Sequence, residues 1–146
     1  MVNQLTHVMV ATDGSVGASR AVEVTSELAK ALACDLLIAT VADHLLGEEV
    51  RQLAYGPISA GDLLKAMTDQ TLRIAEARAR ELGVPRVEVR TAWGDVAQSL
   101  LDIAAGGSAK MIVVGRRGRG QLAGLLLGSV SQKLVSLAPC PVVVVP

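Results

Sequence analysis

A chain of 146 residues, 51% hydrophobic and 19% charged, fits one globular domain over 1–146 and excludes a disordered or low-complexity chain. The formal net charge is zero, yet no acidic residue follows Asp102, so Lys110, Arg116, Arg117, Arg119 and Lys133 put the last 44 residues at +5 and the first 102 at −5. A local cationic field within a neutral total suits a small anionic ligand and argues against nucleic acid, which asks for a broad basic face.

The N-terminal residues Met1–His7 contain no cationic stretch followed by an apolar one. No run nears the ~18 apolar residues of a membrane span, so a soluble, cytoplasmic protein is expected. Val8–Ala11 is a short apolar strand ending at Thr12-Asp13-Gly14-Ser15, where Asp13 or Ser15 can cap a helix. That helix carries Ala18, Ala21, Val22, Leu28, Ala29 and Leu32 at helical spacing. Leu36–Val41 reads as a strand buried on both faces. Residues 43–61 show no clean period and form the one long loop. Asp62 is expected to cap a long helix to Leu82, with Leu64, Met67, Ile74, Ala75 and Leu82 inward and Gly83 as its stop. Val87–Thr91 alternates and suits a strand near a sheet edge. Asp95 and Gln98 have capping-box spacing for a helix that buries Val96, Leu100, Ile103 and Ala104. Met111–Val114, a helix from Ser129 to before Pro139, and Val142–Val145 complete the chain. Trp93 and Tyr55 are its only aromatic residues, so Ala, Val and Leu must fill the interior. Cys34 and Cys140 share no metal or redox spacing and read as small buried thiols.

Strands alternating with helices predict an α/β fold: one doubly wound, five-stranded parallel sheet, order 3-2-1-4-5, with helices on both faces, Rossmann-like. In that order strands one and four are neighbours whose connections leave in opposite directions, and their carboxyl ends form a crevice. Residues 11–15 and 115–129 should meet there.

The sharpest motif is Gly115-x2-Gly118-x9-Gly128-Ser129 after an apolar strand. Glycines let main-chain N–H groups approach a ligand, and a helix N-terminus favours negative charge, so strand, loop and helix together suit a phosphate cradle. Ser129-Val-Ser-Gln132 is also a capping box, and a serine can serve both ends. No P-loop is present. Gly118-Arg-Gly120-Gln-Leu-Ala123 mimics a dinucleotide fingerprint, but it lies late in the chain and no carboxylate follows it. Asp13 stands as a ribose or metal ligand, or as a simple cap. His7 and His44 have no catalytic partner at a recognisable spacing, and Asp13-Gly-Ser15-Val-Gly17 is only loosely like a nucleophile elbow. The uncharged Val142–Val145, as an edge strand, would be covered by a dimer partner or by the chain's own loops.

With these residues in view, the chain resembles the universal stress protein family. Val8–Ser15 matches the family's opening strand and turn, Val113–Gly120 through Gly124–Val130 its glycine motif, and Ala138–Val142 its closing strand. The intact motif implies the ATP-binding branch. By the same resemblance, Ala11, Thr12, Asp13 and Val41 border adenine and ribose and Val114 flanks the nucleoside. Gly115, Gly118, Gly128, Ser129, Val130 and Ser131 hold the phosphates, with a divalent cation such as Mg or Mn. AMP and cyclic AMP are the other adenine nucleotides to consider. The resemblance also implies a homodimer through Val142–Val145. The expected role is a nucleotide-dependent sensor or regulator in stress response, with slow ATP hydrolysis at most. The alternatives are a nucleotide α-hydrolase-type enzyme, with 43–61 supplying catalytic groups, and a dimerisation module whose glycine loop stays empty.

Overall fold

The architecture rests on a computed structural model that describes residues 7–43, 51–52, 59–107, 109–118 and 126–146. In chain order the elements are β1 (His7–Ala11), α1 (Val16–Leu32), β2 (Asp35–Ala42), α2 (Ala60–Glu81), β3 (Val87–Trp93), α3 (Val96–Gly106), β4 (Ile112–Gly115), α4 (Ser129–Leu137) and β5 (Val142–Val145). All five strands are parallel, in the order β3-β2-β1-β4-β5. The expected doubly wound topology is the observed one.

Period-two alternation sorts the core into two layers. Val8, Val10, Leu36, Ile38 and Val113 face α1 and α2, meeting Ala21, Val22, Ala29, Leu72, Ala75 and Ala79. Met9, Leu37, Ala39, Ile112 and Val114 face α3 and α4, meeting Leu100, Ile103, Ala104 and Leu134. Buried on both faces, β1 and β2 read as near-continuous apolar runs, as the central strands of a covered parallel sheet should. Alanines on α1 and α2 and on the strands let helix and sheet backbones come close.

Helix ends follow the local chemistry, with three departures from expectation. Ser15 caps α1, accepting from the Ala18 N–H at 3.2 Å, while Asp13 Oδ1 accepts from the Ser15 N–H at 2.9 Å and so shapes the turn before it. The cap of α2 is Ser59, not Asp62: the Ser59 hydroxyl accepts from the Asp62 N–H at 3.1 Å, and Asp62 belongs to the first turn. Asp95 caps α3 through the Gln98 N–H at 2.8 Å, but the Gln98 side chain donates to Asp102 rather than back to the cap. At α4 the cap residue is Gly128, with no side-chain bond, so the capping box expected at Ser129 does not form. At the other end of α2, Gly83 and Val84 donate to Arg80 and Ala79, the paired bonds of a Schellman stop, with Gly83 at φ 94°.

The buried stripe of α2 is Leu64, Thr68, Leu72, Ala75 and Ala79. Ile74 is 60% exposed and Met67 37% exposed, contrary to the inward placement expected of both, and Leu82 is half-buried. Leu32 is likewise exposed at the end of α1. Cys34 is buried and Cys140 half-buried, and burial pushes both thiols above their ordinary range. No helix among the described residues is long and apolar enough to cross a membrane. Most of the 43–61 segment, His44, Arg119 and the Gly120–Ala123 part of the fingerprint mimic lie outside the described residues.

Candidate functional site

The carboxyl ends of β1 and β4 lie side by side, α1 leaving to one face and α4 covering the other. Between them opens a cleft of about 430 Å³. That volume lies within the range of small-molecule sites, and its place is the topological switch point of the sheet. All eleven residues singled out in the sequence line this cleft. Ala11, Thr12 and Asp13 come from the tip of β1 and Val41 from β2. Val114, Gly115 and Gly118 lie along β4 and its loop, and Gly128, Ser129, Val130 and Ser131 open α4.

Two ends of the cleft differ in chemistry. One is walled by apolar side chains, Val41, Met67, Val96, Leu100 and Val114, and suits a flat, weakly polar ring. The other is made by the Gly115–Gly118 loop, which includes Arg116 and Arg117, and by the first turn of α4. The first helical bond of α4 is Gln132 N–H to the Gly128 carbonyl at 2.9 Å. The N–H groups of Ser129, Val130 and Ser131 therefore have no acceptor within the helix, and no capping side chain serves them. The helices capped by Ser15, Ser59 and Asp95 have already committed part of that capacity.

Two glycines stand in close approach to their neighbours rather than at an unusual φ. A Cβ on Gly118 would sit 2.6 Å from Asp13 Oδ2, so this residue lies directly against the carboxylate at the tip of β1. A Cβ on Gly115 would come within 3.1 Å of the Gly17 carbonyl carbon, so Gly115 lets β4 pack on the first turn of α1. The hydroxyl of Ser131, 2% exposed, lies 2.8 Å from the Arg116 carbonyl and 3.1 Å from that of Gly128, and donates to them. Arg116 is a junction: its N–H donates to the Val145 carbonyl at 2.7 Å, and its own carbonyl accepts from the Gly128 N–H at 2.8 Å. These bonds pin the loop between β5 and α4.

Sequence reasoning missed the wall contributed by α2, namely Met67, Thr68 and Thr71, and also Thr40 and Asp43 at the end of β2. A signal existed for the helix: Met67 and Thr71 stand one turn apart on a flank of the buried stripe. The acidic side chains in the wall are Asp13 and Asp43. Among the described residues no group of three or more His, Cys, Asp or Glu could hold a metal ion.

Comparison with known proteins agrees with this architecture. The family model described as the universal stress protein family matches residues 4–146. A universal stress protein of Thermus aquaticus, encoded in the 3′ region of a sulfhydrylase gene, is 35% identical over 142 residues, covering 94% of this chain and 96% of its own. The universal stress protein YxiE of Bacillus subtilis is 32% identical over 143 residues, covering 94% and 96%. Among solved structures, a universal stress protein in complex with cAMP superposes with a TM-score of 0.72 at 30% identity, covering 97% of this chain and 96% of its own. The chain belongs to the universal stress protein family.

Proposed function

We propose that residues 1–146 act as one adenine-nucleotide-binding domain, a cytoplasmic, nucleotide-dependent regulator in stress response, with ATP as its ligand. The observation that carries this reading is the α4 N-terminus, without a side-chain cap and opening beside the glycine loop on a cleft whose far end is apolar. A polyphosphate gains from the first-turn N–H groups, the helix dipole and the nearby arginines together. The base then lies against Val41, Met67 and Val96, with the main chain of Ala11–Asp13 and of Val41 along adenine and ribose. The Asp13 carboxylate takes the ribose end, and Val114 flanks the nucleoside.

Gly118, Gly128, Ser129 and Val130 supply the phosphate end. Gly115 and Ser131 serve it by shaping the loop, Ser131 offering its N–H rather than its committed hydroxyl. A Mg or Mn ion would fit here as one carried by the phosphates, since among the described residues no group of three or more His, Cys, Asp or Glu could hold it alone. The proposed chemistry is binding, with slow hydrolysis at most. Fast phosphoryl transfer asks for a positioned nucleophile and a charge stabiliser beyond what Asp13, Asp43 and two loop arginines provide.

Cyclic AMP is the second reading, favoured by the solved relative that binds it. The test is mass spectrometry of small molecules released from the purified protein, followed by calorimetric titration with ATP, AMP and cyclic AMP. ATP binding at one site per chain supports the proposal. Tighter binding of cyclic AMP favours the second reading, and no heat with any of the three refutes both.

The proposed assembly is a homodimer through β5. The two edges of the sheet differ: β3 carries Glu88 and Arg90, exposed charges that discourage pairing, whereas β5 is Val142–Val145 without a charge.

A further inference from the structure

On its α2 side the cleft is lined by threonine. β2 brings Thr40, and α2 brings Thr68 and Thr71. Packing gives their depth. Leu64, near the start of α2, packs with Ala42 at the carboxyl end of β2. Further along the helix, Leu72, Ala75 and Ala79 join Leu36 and Ile38 in the core below. Thr40 shares the sheet face of Leu36 and Ile38, because alternate residues of a strand point the same way. It therefore faces the α1 and α2 layer, at the level where the cleft ends and the core begins.

A hydroxyl in such a place is usually spent on the chain's own carbonyls. Thr25, Ser26 and Thr68, all buried in helices, donate to the carbonyl four residues back at 2.6, 2.7 and 2.8 Å. Among the described residues, the hydroxyls of Thr40 and Thr71 have no such partner. Thr40 is the sharper case, at only 5% exposed. The unpartnered side-chain atom sealed from solvent among the described residues is His7 Nδ1, at the opposite end of the sheet. The Thr40 oxygen is thus not sealed, and the surface it keeps opens on the cleft. A desolvated donor and acceptor left unspent is a cost that a bound polar group recovers.

We propose that Thr40 and Thr71 determine which base the cleft accepts, by hydrogen-bonding the amino edge of adenine. This rests on the nucleotide reading above and adds to it the side chains that read the base. Thr40 directly precedes Val41, and Thr71 stands one turn beyond Met67, the two residues against which the base is set. The edge presents an exocyclic amine that donates beside a ring nitrogen that accepts. A hydroxyl can do either, so two threonines satisfy both groups and two valines satisfy neither. A site built to hydrogen-bond rejects the analogue that lacks the group, because its own polar atoms then stay unpaired.

The test uses Thr40→Val, Thr71→Val and the double variant, since valine keeps the branched shape and removes only the hydroxyl. Each is titrated by calorimetry with AMP and with purine ribonucleoside 5′-monophosphate, which carries hydrogen in place of the amine. Each ligand-free protein is also melted. Wild type should prefer AMP by about threefold to tenfold, and each single substitution should weaken AMP by about as much. The ligand-free variants should melt no lower than wild type, because the hydroxyl they lose is unspent. The double variant should bind the two nucleotides within about twofold of each other. Unchanged AMP affinity in both single variants, or a preference kept by the double variant, overturns the proposal. So does a variant that melts lower and loses both nucleotides equally, which would make the hydroxyl a support of the fold. If wild type binds neither nucleotide, the nucleotide reading itself fails and this proposal with it; the other outcomes leave that reading standing.

Discussion

At the scale of single residues, the decisive contact is between Gly118 and Asp13. The carboxylate at the tip of β1 is anchored through one oxygen to the Ser15 N–H, and its other oxygen occupies the space that any Cβ at Gly118 would enter. A larger residue must swing Asp13 away or push the loop outward. Gly118→Val should therefore weaken ATP at least tenfold, about 1.4 kcal/mol. It should lower the stability of the ligand-free protein only by about 1 kcal/mol, the worth of one turn hydrogen bond. Calorimetry and thermal melting on the same preparation check both halves. Undiminished affinity would show that the loop does not approach the ligand there. Gly118 was legible as a residue of the cleft because its spacing is distinctive. The reason it must be glycine was not, since the clash is with a residue more than a hundred positions earlier. Ser131 teaches the converse: its place in the motif suggested a phosphate ligand, and the structure shows its hydroxyl bracing the Arg116 carbonyl.

At the scale of elements, local rules explain where helices begin and end, including where they were misread. Ser59 displaced Asp62 as a cap because it stands before the first helical residue, and Asp62 is already inside the turn. The apolar stripe of α2 was misplaced because Thr68 is buried with its hydroxyl bonded to the Leu64 carbonyl at 2.8 Å, which lets a polar residue occupy a core position. Met67 thereby moves to the cleft wall. The end of α1 offers a direct test. Ala33 holds φ 51° and ψ 46°, a left-handed conformation, where α2 uses a glycine at φ 94°. Alanine in that region is strained by about 1–2 kcal/mol, part of which glycine returns as chain entropy. Ala33→Gly should raise stability by about 0.5–1 kcal/mol, a gain of ~2–3 °C in Tm. A lower Tm would mean that Ala33 is not strained.

At the scale of the whole molecule, strand alternation and helix periodicity made the doubly wound order legible in advance, and with it the meeting of residues 11–15 with 115–129. The α2 wall was not legible, because which flank of a helix overhangs a crevice depends on packing angles that no local pattern carries. Assembly belongs to this scale too. The bonds from Ile112 N–H to the Pro141 carbonyl and from Arg116 N–H to the Val145 carbonyl turn alternate residues of β5 toward β4. Val142 and Val144 therefore direct their main-chain groups outward. Val144→Pro removes one outward N–H and no bond to β4, so it should convert the proposed dimer to a monomer with little loss of fold. Light scattering after size exclusion checks this, and a variant that stays dimeric would place the interface elsewhere.

The central claim is that the cleft between β1 and β4 receives an adenine nucleotide, and thermal melting with added nucleotide tests it most directly. At 100 times its Kd a ligand bound only by the folded state adds about 2.7 kcal/mol, which for a chain of this size raises Tm by ~5–10 °C. ATP should produce that rise in the wild type and much less in Gly118→Val. An unmoved Tm in millimolar ATP, AMP and cyclic AMP would contradict the account.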